Sequence, residues 1–216
     1  MGRIRQSKKD DLARSARLPF SEKLALTAAA SRSAGTHLIL RETFADPLLE
    51  IIKLFNLAVK HKVFPKYALA GGLAVEYYGA PINTVDADFL VVFPETSGGL
   101  LDASRFFEFF QQQGAQSAGE YLLLHDSKFQ MIPANTSLDR EALEAAVCVT
   151  EKGISFSVVT LEFLIALKLR AWRYKDRLHI NHLLDSGVVP DNGKLEPILK
   201  RHNLGQRWQE LLSERS

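Results

Sequence analysis

The sequence predicts an α+β fold, a small β-sheet flanked by helices with a helical C-terminal part. Three observations carry this. Short β-rich or apolar runs stand at 67–70, 86–93, 120–124, 128–133 and 154–159. Apolar residues recur at helical spacing between several of them, and from Thr160 onward the pattern is helical to the end. With 216 residues, 46% hydrophobic and 24% charged, the chain is long enough to bury its own core and has the composition of an ordinary globular protein, which excludes disordered and fibrous classes.

Taken in order, residues 1–44 read as a helical N-terminal extension, with Ser21 as an N-cap before good helix formers. Asp46-Pro47 supplies a cap and a first-turn proline. Leu48, Leu49, Ile51, Ile52, Leu54, Phe55, Leu57 and Ala58 then give one helix a buried face. Tyr67–Ala70 is a short strand running through the Gly71-Gly72 turn into a helix at 73–78, which ends near Gly79 with Pro81 beyond. Asp86 to Phe93 is apolar after Asp88, as suits a central strand covered on both faces, and Pro94 stops it. Leu101, Phe106, Phe107, Phe109 and Phe110 mark another helix. Segments 120–124 and 128–133 form a hairpin around His125-Asp126-Ser127, 139–147 a short helix, and 154–159 a strand. The C-terminal helices break at Ser186-Gly187, Pro190–Gly193 and Gly205. This divides the chain into an extension at 1–44, a core at 45–160 and a helical region at 161–216 packing on that core.

The single cysteine, Cys148, cannot form an internal disulfide, and the apolar run 145–149 predicts a buried thiol in a reducing compartment. The charged N-terminal stretch is followed by no apolar signal region, and no apolar run is long enough to span a membrane. A cytoplasmic protein with no membrane partner is the reading. A net charge of +2 does not announce a nucleic-acid binder, but positive residues group at Arg3 to Lys9 and at Lys168, Arg170, Arg173, Lys175 and Arg177. The histidines never stand at metal-ligand spacing with cysteine or acid, and solvent exposure accounts for His179 and His182. Without Gly-x-Ser-x-Gly or Gly-Lys-Ser/Thr, hydrolase and P-loop readings lose their main support.

The chemistry concentrates in 70–93. Residues i and i+2 of a strand share a face, so Asp86 and Asp88 present two carboxylates side by side. Like charges held that close are costly unless a cation sits between them, and carboxylates with substrate phosphates are the ligands Mg²⁺ prefers. Gly71 and Gly72 open a helix, where backbone amides form an anion-binding nest. Singly, the glycines read as a tight turn and the aspartates as a solvated strand start; in this order they favour a metal-and-phosphate site. Lys168 and Lys175, seven apart, fall on one face of a helix, where a lysine could neutralise charge on a leaving pyrophosphate. A solvated basic helix is the better account of Arg170 and Arg177.

Gly71-Gly72, a helix and Asp86-Ala-Asp88 leading an apolar strand together resemble the signature of the DNA polymerase β-like nucleotidyltransferase superfamily. Gly71-Gly-Leu-Ala74, Gly79 and Thr84-Val-Asp-Ala-Asp88 are more similar still to the AbiEii-like bacterial branch, as is the block Leu161 to Asp176 with its Leu-Ile-Ala-Leu-Lys-Leu-Arg-Ala core. The resemblance spans roughly residues 45–185. It implies a nucleotidyltransferase-like mixed sheet and transfer of a nucleoside monophosphate from an NTP to an acceptor hydroxyl. It also implies Mg²⁺ (or Mn²⁺) on Asp86 and Asp88, phosphates on Gly71, Gly72, Thr84, Lys168 and Lys175, and Asp176 as an additional acid. The toxin members of that branch imply a tRNA end or other RNA as acceptor and a cognate antitoxin as partner.

The chain departs from the pattern at three places. Gln130 occupies the later-strand position of a third carboxylate, and glutamine cannot act as a base. Ile82 replaces a frequent arginine, and His179 a second aspartate. These departures keep open a catalytically weakened nucleotide-binding or protein-interaction module, and Asp176 could equally be an ion-pair partner on a helix surface.

Overall fold

The structure is a computed structural model that describes residues 45–80, 82, 84, 86–93 and 104–215. The expected extension at 1–44, and the expected roles of Pro81, Pro94 and Leu101, lie outside the described residues. Helix α1 (Ala45–Lys60) leads into strand β1 (Tyr67–Ala70), helix α2 (Gly71–Tyr77) and strand β2 (Asp86–Val91). Helix α3 (Ser104–Gln112) precedes β3 (Gln116–Ala118), β4 (Tyr121–Leu124) and β5 (Ser127–Pro133). Then come α4 (Ser137–Glu144), β6 (Val147–Glu151) and β7 (Ile154–Val158). The chain closes with α5 (Leu161–Ala171), α6 (Tyr174–Asp185), α7 (Asn192–Arg201) and α8 (Gly205–Ser213).

The strands form one mixed sheet in the order β3-β4-β5-β2-β1-β7-β6. β2 pairs antiparallel with β1 and parallel with β5, and β1 pairs parallel with β7. This is the α+β architecture the sequence predicts. Strand alternation sorts β2 into two functions. Ala87, Phe89 and Val91 are buried in the core, where Phe55 of α1 stacks on Phe89 at 4.0 Å between ring centroids and meets Phe110 at 4.9 Å and Phe129 at 5.8 Å. Asp86, Asp88 and Leu90 take the opposite face.

That opposite face is covered by helices. α2 lies against β1 and β2, while α5 meets α2, α4, α6 and α7. α5 is buried nearly all round, with Leu161, Leu164, Ile165 and Leu169 inside as their spacing predicts, and Lys168 among them.

Four local readings are corrected. Two strands escape the sequence reading: β3, three residues with two of them exposed, and β6, which follows α4 directly. β6 is an edge strand, so Cys148 is exposed rather than buried; its apolar neighbours occupy the rim of the sheet, not its centre. The continuous helix expected through Lys168 and Lys175 is broken, because Trp172 takes a left-handed conformation (φ 54°) that ends α5. Arg207 secures the junction: its guanidinium donates to the carbonyls of Leu169 (2.9 Å) and Arg170 (2.7 Å). The Arg207 and Arg177 guanidiniums lie 5.6 and 5.3 Å from the Trp172 ring centroid. Finally, His179 and His182 are half-buried rather than solvent-exposed.

Candidate active site

A cleft of about 580 Å³ opens between the α2 face of the sheet and the α5–α6 junction. Gly71, Gly72, Thr84, Asp86, Asp88, Lys168, Lys175 and Asp176, the residues the sequence singles out, all line it, as do Gln130 and His179.

The floor is built by β2 and β5. Asp86 and Asp88 stand two residues apart on one face of β2, and their partners across the parallel ladder are Lys128 and Gln130. Gln130 therefore sits beside Asp88, at the position where the resemblance implies a third carboxylate. Asp126 is in the β4–β5 turn, with φ 65°, and does not line the cleft. Burial raises the Asp88 carboxyl above the usual range and Asp86 adds to this, while Lys168, Lys175 and Arg173 pull it back.

The glycine turn is tied to the same carboxylate. Gly71 has φ +62°, and a Cβ there would meet the Asp88 side-chain oxygen at 1.8 Å. A Cβ on Gly72 would meet the Thr84 hydroxyl oxygen at 2.8 Å. Glycine is thus required at both positions for the turn to lie against Asp88 and Thr84. Glu76, 6% exposed on α2, holds the loop from behind. Burial pushes its carboxyl up to about 8, although a hydrogen bond from the Thr84 backbone N–H opposes this.

Cations form the facing wall. The Lys168 ammonium is 5% exposed, hydrogen-bonds His179 Nδ1 at 2.9 Å and lies 3.7 Å from Asp176. Burial depresses it to about 8, with Asp176 and Asp88 pulling upward. Asp176 is 3% exposed and takes Arg173 Nε at 2.7 Å, so it is a buried ion-pair partner rather than one on a helix surface. Burial, then the Lys168 charge, lowers His179 to about 4, so its ring is neutral at ordinary pH. Lys175, although on α6 rather than in line with Lys168 on α5, still reaches the cleft.

Arg170, which the sequence reading set aside, also lines the cleft. It is exposed to solvent, as the sequence reading has it, and is anchored as well: Nη2 donates to the buried Asp139 at 2.5 Å, and Nη1 to the Thr136 hydroxyl. Thr136 and Asp139 also form the capping box of α4. Burial opposes ionisation of Asp139, but the bonds from Arg170 and Thr136 hold its carboxyl below the usual range. The Thr-x-x-Asp box was visible in the sequence; its pairing with Arg170, 31 residues away, was not.

Among the described residues no group of three or more His, Cys, Asp or Glu could hold a metal ion. The chain thus offers two adjacent carboxylates with an amide beside them. This donor set fits a hard cation that takes its remaining ligands from substrate phosphates and water.

The fold class follows from comparison with solved structures. The chain is similar to an antigenic nucleotidyltransferase-like protein from Paracoccidioides brasiliensis, with a TM-score of 0.54 and 13% identity over 79% of this chain and 89% of that one. The antibiotic-resistance factor ANT(2'')-Ia gives a TM-score of 0.45 at 13% identity, covering 78% and 96%. A putative nucleotidyltransferase from Thermotoga maritima gives 0.44 at 16% identity, covering 69% and 97%. No protein-family model and no curated protein sequence matches the chain. The protein has a nucleotidyltransferase-like fold, and among the described residues no helix is long and apolar enough to cross a membrane.

Proposed function

We propose that the protein transfers a nucleoside monophosphate from an NTP to an acceptor hydroxyl, with pyrophosphate leaving. The observation that carries this reading is the juxtaposition of Asp86 and Asp88 on the cleft floor, the Gly71 turn packed on Asp88, and the buried Lys168 lining the same cleft. Asp86 and Asp88 would hold Mg²⁺ or Mn²⁺, which when bound neutralises phosphate charge and activates the attacking oxygen. The backbone at Gly71 and Gly72, with Thr84 and Lys175, would bind the NTP phosphates. Lys168 would stabilise charge on the departing pyrophosphate. Asp176 fixes Lys168 and Arg173 rather than standing free as a base.

The acceptor in this reading is an RNA, with a tRNA end as the leading case, in a cytoplasmic protein. The similarity of residues 71–88 and 161–176 to the AbiEii-like toxin branch supports this, and with it a cognate antitoxin partner. One observation favours a second reading: Gln130 beside Asp88 supplies no third carboxylate, as suits a module that binds nucleotide without turning it over.

Incubation with each labelled NTP, Mg²⁺ or Mn²⁺ and an RNA pool separates the two. Transfer by the wild type, reduced at least about 100-fold by Asp86→Ala and by Asp88→Ala, is the expected result. NTP binding without a product would favour the second reading. Neither binding nor transfer would overturn both.

A further inference from the structure

His179 of α6 touches Lys168 of α5 directly. An ammonium has three N–H donors. One is directed to His179 Nδ1 at 2.9 Å, and Asp176 lies on another side at 3.7 Å, both within a wall where Lys168 is 5% exposed. Because Nδ1 accepts from the ammonium, the proton of the neutral ring is on Nε2.

We propose that His179 is a positioning residue for Lys168: it holds the ammonium in the cleft by accepting one proton, and leaves another N–H for an oxygen of the pyrophosphate. The inference rests on the nucleotidyl-transfer reading for the identity of that anion. Two features of the wall argue for it. A lysine with four rotatable bonds cannot hold one direction unaided, and here the break at Trp172 turns α6 so that His179 meets a side chain eleven residues earlier. The acceptor is also neutral. Asp176 already faces the ammonium and Arg173, so a second carboxylate would add negative charge beside the phosphate, whereas an imidazole fixes the direction of the ammonium without adding any. The low proton affinity of the ring, about 4, keeps it in the accepting form.

The test compares His179→Ala, His179→Asn and His179→Asp. Asparagine offers a neutral oxygen acceptor near Nδ1, alanine offers none, and aspartate offers a charged one. Binding of inorganic pyrophosphate with Mg²⁺, followed by calorimetry, is expected to weaken about tenfold in the alanine and aspartate variants and to stay within about threefold in the asparagine variant. In active preparations kcat falls in the same order with less change in KM for NTP. In a Lys168→Met background, His179→Ala should produce no further loss. Equal binding by all three variants and the wild type overturns the proposal, as does an undiminished effect of His179→Ala without Lys168. Wild type that binds pyrophosphate but transfers no nucleotide defeats the function proposed above and leaves this one to the binding data. Wild type that binds no pyrophosphate defeats both. Variants that fail to fold are bypassed by NMR of the His179 ring: its titration near about pH 4 should move upward in Lys168→Met, and an unmoved midpoint overturns the proposal.

Discussion

At Gly71 two requirements coincide, and they can be separated experimentally. The backbone is left-handed, at φ +62°, and the space a Cβ would fill is occupied by the Asp88 carboxylate. Gly71→Ala should cost about 1–3 kcal/mol in unfolding free energy and displace Asp88, so that nucleotide binding is lost along with stability. Chemical denaturation paired with NTP calorimetry measures both. A fully stable alanine variant would show that the turn relaxes. Much of this site was legible in the sequence, because a glycine pair and two carboxylates at spacing two are local patterns that strand and turn geometry translate directly. His179 and Arg170 were not legible. Their roles depend on partners 11 and 31 positions away, on a helix break and on a separate helix, which no local periodicity records.

Elements with strong patterning emerged as the sequence read them. α1 has its buried face, β2 is central, and β4 and β5 pair around the left-handed residues His125 and Asp126. The failures share a cause. β3 and β6 close the two ends of the sheet, so their side chains lack the burial contrast that makes a strand recognisable. Trp172 ends α5 without glycine or proline, the residues that usually mark such a break. The misread edge has a direct test. Cys148 should react stoichiometrically with a thiol reagent in the native protein, without denaturant and with its cooperative melting unchanged. Protection until unfolding would mean that something covers β6.

The molecule as a whole responds to pH through a group behind the site. Glu76 is protonated more readily in the folded state, at about 8 against an ordinary 4.5, because burial disfavours its charge. The folded state therefore binds more protons across that window, and the contribution of Glu76 to stability is present below about 4.5 and lost as pH rises through about 8. Thermal unfolding should show the wild type losing stability between about pH 5 and about pH 8 relative to Glu76→Gln, whose amide cannot ionise and can still accept from the Thr84 N–H. Parallel profiles for the two proteins would rule this out. Because the same loop seats Thr84 against Gly72, weakening it by alkali should loosen the phosphate turn before the aromatic core.

The parallel register that sets Gln130 beside Asp88 bears on descent as well as on chemistry. Glutamine and glutamate codons differ by a single base, so one point mutation would place a third carboxylate at that rung of the ladder with no change in side-chain length. A lineage carrying this chain could gain or lose an acid at its cleft in one step while leaving the strand, the turn and the cationic wall untouched.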